Sequence, residues 1–161
     1  MSDSAEPYEA MPVHDERVPE EVYAQFVEQM PQPCVEVVVE DEPGVLLTRR
    51  TIEPRIWFWP GGRLYKGERL EAAARRVAGE ELAIEVRLLD RLGTYAHFWA
   101  ESSVEGSPSR HTINVVFHAT PVADEYEIAL DDQHSAYRFV SAVEPGLHEY
   151  VRLYLRDNDL V

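Results

Sequence analysis

Apolar and polar positions divide the chain into short strands with helices set among them. Cys34 to Val39 reads CVEVVV, a β-rich run, and Asp41-Glu42-Pro43-Gly44 is a turn. Val45 to Arg49 follows as a second strand, so the pair predicts a hairpin. Before it, Glu20 to Met30 carries Val22, Phe26 and Met30 at helical spacing, with Pro19 at the start and Pro31 and Pro33 beyond the end. Ile56-Trp57-Phe58-Trp59 is short and aromatic, and Pro60-Gly61-Gly62 breaks it. Glu68 to Ala83 predicts a helix, and Ile84 to Phe98 holds strand stretches around Gly93. Glu101 to Ser109 is a polar loop, Thr112 to Ala119 a strand, Asp131 to His134 a loop, Tyr137 to Val140 a short strand and Leu147 to Arg156 a last helix. There is no internal repeat. The order predicts one α+β domain over 19–161, preceded by a loose acidic arm over 1–18.

The helix over Glu68–Ala83 carries the most chemistry. At 100° per residue, Leu70, Ala73, Ala74, Val77, Glu80 and Glu81 share one face. An apolar stripe therefore ends in two adjacent carboxylates in the last turn, where the helix dipole disfavours negative charge by about 0.3–1 kcal/mol each. Such a pair calls for a cation. Mg2+ suits it, because Mg2+ takes oxygen ligands from one or two carboxylates together with substrate phosphates. A solvated acidic helix end is the plain alternative. Gly61-Gly62, where backbone can approach a ligand closely, and Arg63, suited to phosphate, favour the metal.

Charge narrows the choice of partner. The 161 residues hold 30 Asp+Glu against 15 Lys+Arg, a formal net charge of −15. That field repels nucleic-acid polymers and anionic membrane surfaces. Lys66 is the only lysine, and an acid-rich, lysine-poor chain predicts a salt-adapted protein, with an Arg-biased genome as the alternative. Cys34 is the only cysteine, which excludes an internal disulfide and a cysteine zinc site. The acidic start has no apolar core for a signal peptide, and no run is long enough to span a membrane, so the expected location is the cytoplasm.

The segment Gly61 to Ile84 resembles the Nudix box, G-x5-E-x7-R-E-U-x-E-E-x-G-U, with U a bulky aliphatic. Gly62, Glu68, Arg76, Glu80, Glu81 and Ile84 occupy its positions, while Val77 replaces the first Glu and Ala83 the second Gly. The resemblance implies an α/β/α sandwich around a mixed sheet. The GDP-mannose mannosyl hydrolase branch of that family also lacks the Glu at Val77, and the likeness to it extends further. It includes Arg49-Arg50-Thr51, Trp57-Phe58 with Pro60 to Arg63, Ala96-His97-Phe98, and Asp131 to His134 followed by Tyr137-Arg138-Phe139.

What that resemblance implies is specific. The Gly61 carbonyl, Glu81 and Gln133 would hold Mg2+, or Mn2+ in its place; Glu80, where that branch keeps no Glu, would either act through a bridging water or be solvated. His134 would be the general base, since an imidazole takes a proton from water near neutrality. Arg50 and Arg63 would clamp the diphosphate, and His97 and Glu36 would meet the sugar. Glu36 is one methylene longer than the acid of that branch, and Asn114 stands in place of a Tyr. Arg76 and Glu68 would have structural roles. The implied substrate is a nucleoside-diphosphate sugar such as GDP-mannose, attacked at the sugar carbon by a homodimeric enzyme. Two alternatives stay open: cleavage at phosphorus, which Glu80-Glu81 would favour, and a Nudix-fold binding module without turnover.

Overall fold

A computed structural model describes residues 11–42, 44–101 and 109–161. Residues 1–10 of the expected arm, Pro43 of the expected turn and residues 102–108 of the expected loop lie outside the described residues. The elements run α1 (Glu20–Gln29), β1 (Gln32–Asp41), β2 (Gly44–Arg50), β3 (Trp57–Phe58), β4 (Gly61–Arg63), α2 (Leu70–Leu82), β5 (Val86–Trp99), β6 (Arg110–Pro121), β7 (His134–Val140) and α3 (Glu149–Asp157).

The strands form one mixed sheet in the order β3-β2-β1-β6-β5, with β4 added on β1 and β7 on β2. β1 is its centre. It runs parallel to β6 from Gln32 to Val39 and antiparallel to β4, while its end, Glu40-Asp41, pairs back on β2. The period of two along β1 sorts its side chains between two layers. Val35, Val37 and Val39 pack with Ala73, Ala74 and Val77 of α2. Val38 packs on the opposite face with Val151, Tyr154 and Leu155 of α3. A helix therefore covers each face of the sheet, giving the expected α/β/α sandwich. Glu36 shares the α3 face with Val38, a carboxyl in an otherwise apolar layer.

Two local features differ from the sequence reading, and a third adds to it. Pro60-Gly61-Gly62 ends the aromatic strand but does not leave the sheet: Pro60 accepts from the Val37 N–H at 2.9 Å, and Gly61–Arg63 pair with Glu36–Cys34. Residues 86–99 form one strand rather than pieces, because bulges between Leu88 and Asp90 and between Arg91 and Gly93 absorb the irregularity. Gly93 sits at φ 143, open to glycine. On α1 only Val27 is buried, and the stripe of Val22, Phe26 and Met30 is 39%, 47% and 60% exposed. The helix meets β6 by its other side, so intramolecular packing leaves that stripe outside.

Ahead of α1, His14 bridges to Lys66, and Pro12 lies against Gly67, where a Cβ would come 2.4 Å from the Pro12 carbonyl oxygen. No helix among the described residues is long and apolar enough to cross a membrane.

Candidate active site

A cavity of about 570 Å3 opens where β1, β4, β6, the end of α2 and the loop before β7 meet. Of the residues singled out in the sequence, Glu36, Arg50, Gly61, Arg63, Glu80, Glu81, His97 and Gln133 all line it. His134 is buried immediately behind the lining, at the first position of β7 rather than in a loop. It pairs there with Arg50 across a bulge in β2.

Glu81 and Glu80 part company at the end of α2. Glu81 turns inward, and its Oε2 accepts from the Gly61 N–H at 3.0 Å. Burial pushes its carboxyl up to about 8, with the Asp131 charge adding to the rise, while the Gly61 N–H and the Arg50 charge oppose it. Glu80 turns outward and accepts from Arg76 at 3.1 Å. Val77 is 1% exposed within the α2 core, so its apolar side chain is used for packing under Gly62.

Asp131 comes to the same place from the other side. One ligand atom from each of Glu81, Asp131 and His134 lies within 4.8 Å of the others. Two carboxylates so close fit a divalent cation, and the repulsion that Asp131 exerts on Glu81 is what such an ion would relieve. The His134 Nδ1 is 2.6 Å from Asp131 Oδ1, and the Gln133 N–H also donates to that oxygen at 3.2 Å. Thr51 pins the loop to the end of β2, donating its N–H to the Gln133 carbonyl at 2.8 Å and its hydroxyl to the Asp132 carbonyl at 3.2 Å.

The cations are arranged unevenly. Arg50 donates from Nε to the Pro54 carbonyl at 3.0 Å and from Nη2 to the Glu53 carbonyl at 3.2 Å, which holds the guanidinium while leaving its remaining N–H groups for a ligand. Burial and then the nearby Arg110 charge lower its pKa, against Glu81, Glu36 and Asp131. Arg63 lies over the Tyr65 ring at 4.6 Å and the Tyr23 ring at 5.8 Å. Arg76 binds Glu68 at 2.6 Å and the Arg63 carbonyl at 2.9 Å, a brace for the loop. Arg110 reaches to within 3.5 Å of the Tyr23 hydroxyl and lines the cavity as well.

On the α3 face, Glu36 is buried and its carboxyl is pushed up to about 8 by burial, against a Tyr154 hydrogen bond and the Arg50 charge. The Tyr154 hydroxyl donates to Glu36 Oε2 at 2.7 Å and lies 2.8 Å from His97 Nε2. Burial, and then the neighbouring His148, push His97 down to about 4, so the ring is neutral near pH 7. Its Nδ1 is 3.7 Å from Glu36 Oε1, too long for a hydrogen bond, and finds no hydrogen-bond partner among the described residues. Asn114 uses its amide N–H groups inward, on the Tyr95 carbonyl at 3.1 Å and the Thr112 hydroxyl at 3.0 Å.

Three residues here escaped the sequence reading, Arg110, Tyr23 and Tyr154, and Asp131 was quoted in the 131–134 motif without a role. Asp131 had a signal, since it stands three residues before His134 within a turn-forming stretch. Tyr154 had none, because Tyr150 and Tyr154 at i, i+4 read as the core stripe of an ordinary last helix.

The NUDIX domain model matches residues 30–156. The low-salt glycan biosynthesis protein Agl8 of Haloferax volcanii is 40% identical over 141 residues, covering 86% of this chain and 89% of that protein. Among solved structures, the MutT protein of Methanosarcina mazei Go1 superposes with a TM-score of 0.64 at 25% identity, over 81% of this chain and 95% of that one. The MutT NUDIX hydrolase of Burkholderia pseudomallei also gives 0.64, at 23% identity over 81% and 99%, a likeness of fold. With the box residues of α2 lining the cavity, and the family model spanning sheet and helices alike, the chain belongs to the Nudix hydrolase family.

Proposed function

We propose that this protein hydrolyses a nucleoside-diphosphate sugar, GDP-mannose being the preferred candidate, at the sugar carbon. The observation that carries the reading is the Asp131–His134 pair, 2.6 Å apart and set beside Glu81. With its Nδ1–H given to Asp131, His134 keeps the Nε2 lone pair to take a proton from water. The water oxygen then bonds to the anomeric carbon, and the bond from that carbon to the diphosphate oxygen breaks with inversion. Arg50 and Arg63 hold the diphosphate as it takes up the bonding electrons. Glu81, the Gly61 carbonyl and Gln133 would hold Mg2+, with Asp131 close by, and Mg2+ supplies charge neutralisation on the leaving diphosphate.

Val77 supports attack at carbon, since the resembled branch that attacks carbon also lacks that Glu, and a site with fewer carboxylates holds fewer divalent ions. Glu80, which would favour the phosphorus route, is engaged with Arg76 away from Glu81. The relative from Haloferax volcanii is named for glycan biosynthesis, and sugar nucleotides are the glycosyl donors of such chemistry. That relative also supports a salt-adapted protein, in line with the net charge of −15. The exposed Val22-Phe26-Met30 face supports a homodimer, and the free, buried Cys34 suits the cytoplasm.

The test is a panel of nucleotide sugars with Mg2+ at low and high salt. GDP-mannose should yield free mannose and GDP. Sugar phosphate and mononucleotide as products would place the chemistry at phosphorus instead, and binding without turnover across the panel would mark a non-catalytic module.

A further inference from the structure

Glu36 stands out as a carboxyl in an apolar strand face, and what fixes it comes from the far end of the chain. Its stem lies flat on Gly61, where a Cβ would come within 2.8 Å of Glu36 Cγ. Its Oε2 accepts from Tyr154 at 2.7 Å. Tyr154 is fully buried, stacked on Trp59 with rings 5.8 Å apart and 4° from parallel, and packed on Tyr95 at 4.2 Å. Its hydroxyl has one proton. With that proton on the Glu36 bond, the 2.8 Å contact to His97 requires His97 to donate from Nε2. The His97 ring is fixed in turn by stacking on Tyr150 at 4.2 Å and 9°. The result is a one-way chain, His97 to Tyr154 to Glu36, and Glu36 Oε1 accepts no hydrogen bond from the described residues while its side chain lines the cavity.

Gly61 joins this chain to the metal-binding side. Its N–H holds Glu81 and its Cα faces Glu36 across the β1–β4 pair. The group next to the diphosphate in a nucleotide sugar is the glycosyl ring. We propose that Tyr154 is the positioning residue for sugar recognition: its hydroxyl, backed by His97, fixes Glu36 so that the free carboxyl oxygen meets a ring hydroxyl of the glycosyl group. The proposal rests on the nucleotide-sugar reading above. It moves His97, which is 1% exposed, from a sugar contact to a support. It also explains how the longer Glu36 side chain is held still.

The test compares wild type, Tyr154→Phe, Glu36→Leu and the double variant, all with Mg2+. Tyr154→Phe keeps the stacked ring and removes the hydroxyl. It should raise KM for GDP-mannose about ten-fold, the scale of one lost hydrogen bond, while the inhibition constant of GDP stays as in wild type. Adding Tyr154→Phe to Glu36→Leu, which has no acceptor left to position, should change KM no further. Additive effects, or equal weakening of GDP and GDP-mannose, would overturn the proposal. Should Tyr154→Phe not fold, Glu36→Leu alone removes the carboxyl beside an intact Tyr154, and an unchanged KM for GDP-mannose would be equally fatal. Failure of the parent reading shows in the wild type, as no nucleotide-sugar turnover. Calorimetry then still decides: equal wild-type affinity for GDP-mannose and GDP would remove the sugar contact altogether.

Discussion

The 2.6 Å contact between His134 Nδ1 and Asp131 decides which nitrogen of the ring can act, and it ties a base to the residues beside Glu81. His134→Gln should lower kcat by about 10²–10⁴-fold, the usual worth of a general base, while Mg2+-dependent GDP binding stays intact. Asp131→Asn should lower kcat as well, because an amide that offers its N–H to Nδ1 would favour the wrong tautomer. Steady-state kinetics paired with GDP calorimetry checks both, and loss of GDP binding together with kcat would make the pair structural. These residues were unequally legible. Glu81, Gly61 and His134 could be named from the chain because they sit in or beside a dense local motif. Arg110 and Tyr154 could not, since their roles arise from strand pairing and layer packing across long sequence separations, whereas Asp131 meets His134 only three residues away. Glu80 was the opposite case: it shares the Glu81 face on a helical wheel, yet one residue's rotation was enough to give it to Arg76 and solvent.

The end of α2 shows a local departure with a stability consequence. Ala83 sits at φ 56, ψ 36, the left-handed conformation that closes the helix, with its N–H on the Gly79 carbonyl at 3.1 Å. The Nudix box has glycine there, and an alanine carries the Cβ penalty of that region, so Ala83→Gly should stabilise the fold by about 1 kcal/mol. Chemical denaturation checks this, and an unchanged or lowered midpoint would mean that Ala83 is unstrained. Periodicity located α2, β1, β2 and β6 well because each has a strongly buried face. It missed β4, since Gly61-Gly62-Arg63 has no apolar side chain to announce a strand and is held by backbone pairing to β1. It left open what covers the α1 stripe for a related reason: an amphipathic pattern gives a face, not the thing that covers it.

Across the whole molecule the acidic excess has one buried share with a definite pH signature. Glu36 and Glu81 are both pushed up to about 8 from 4.5, so they stabilise the fold below 4.5 and that contribution is lost as pH rises through 8. His97, pushed down to about 4 from 6.5, works the other way: its contribution is full above 6.5 and lost as pH falls through 4. Between 6.5 and 8 only the two carboxyls act, so the metal-free protein should lose Tm as pH rises. Mg2+ favours ionised Glu81, so the Mg2+-induced gain in Tm should be larger at pH 8 than at pH 6.5. Thermal unfolding in chelator and in Mg2+, at constant salt, measures this, and a gain independent of pH would detach Glu81 from the metal. The net charge of −15 thus surrounds a small site where Arg50, Arg63 and Arg110 offset buried carboxylates, suited to a diphosphate and unsuited to a polyanion. The central claim concerns where water attacks, and hydrolysis of GDP-mannose in heavy-oxygen water reads that directly. The account predicts the heavy oxygen in mannose and none in the phosphate of GDP; label in a phosphate group would contradict it.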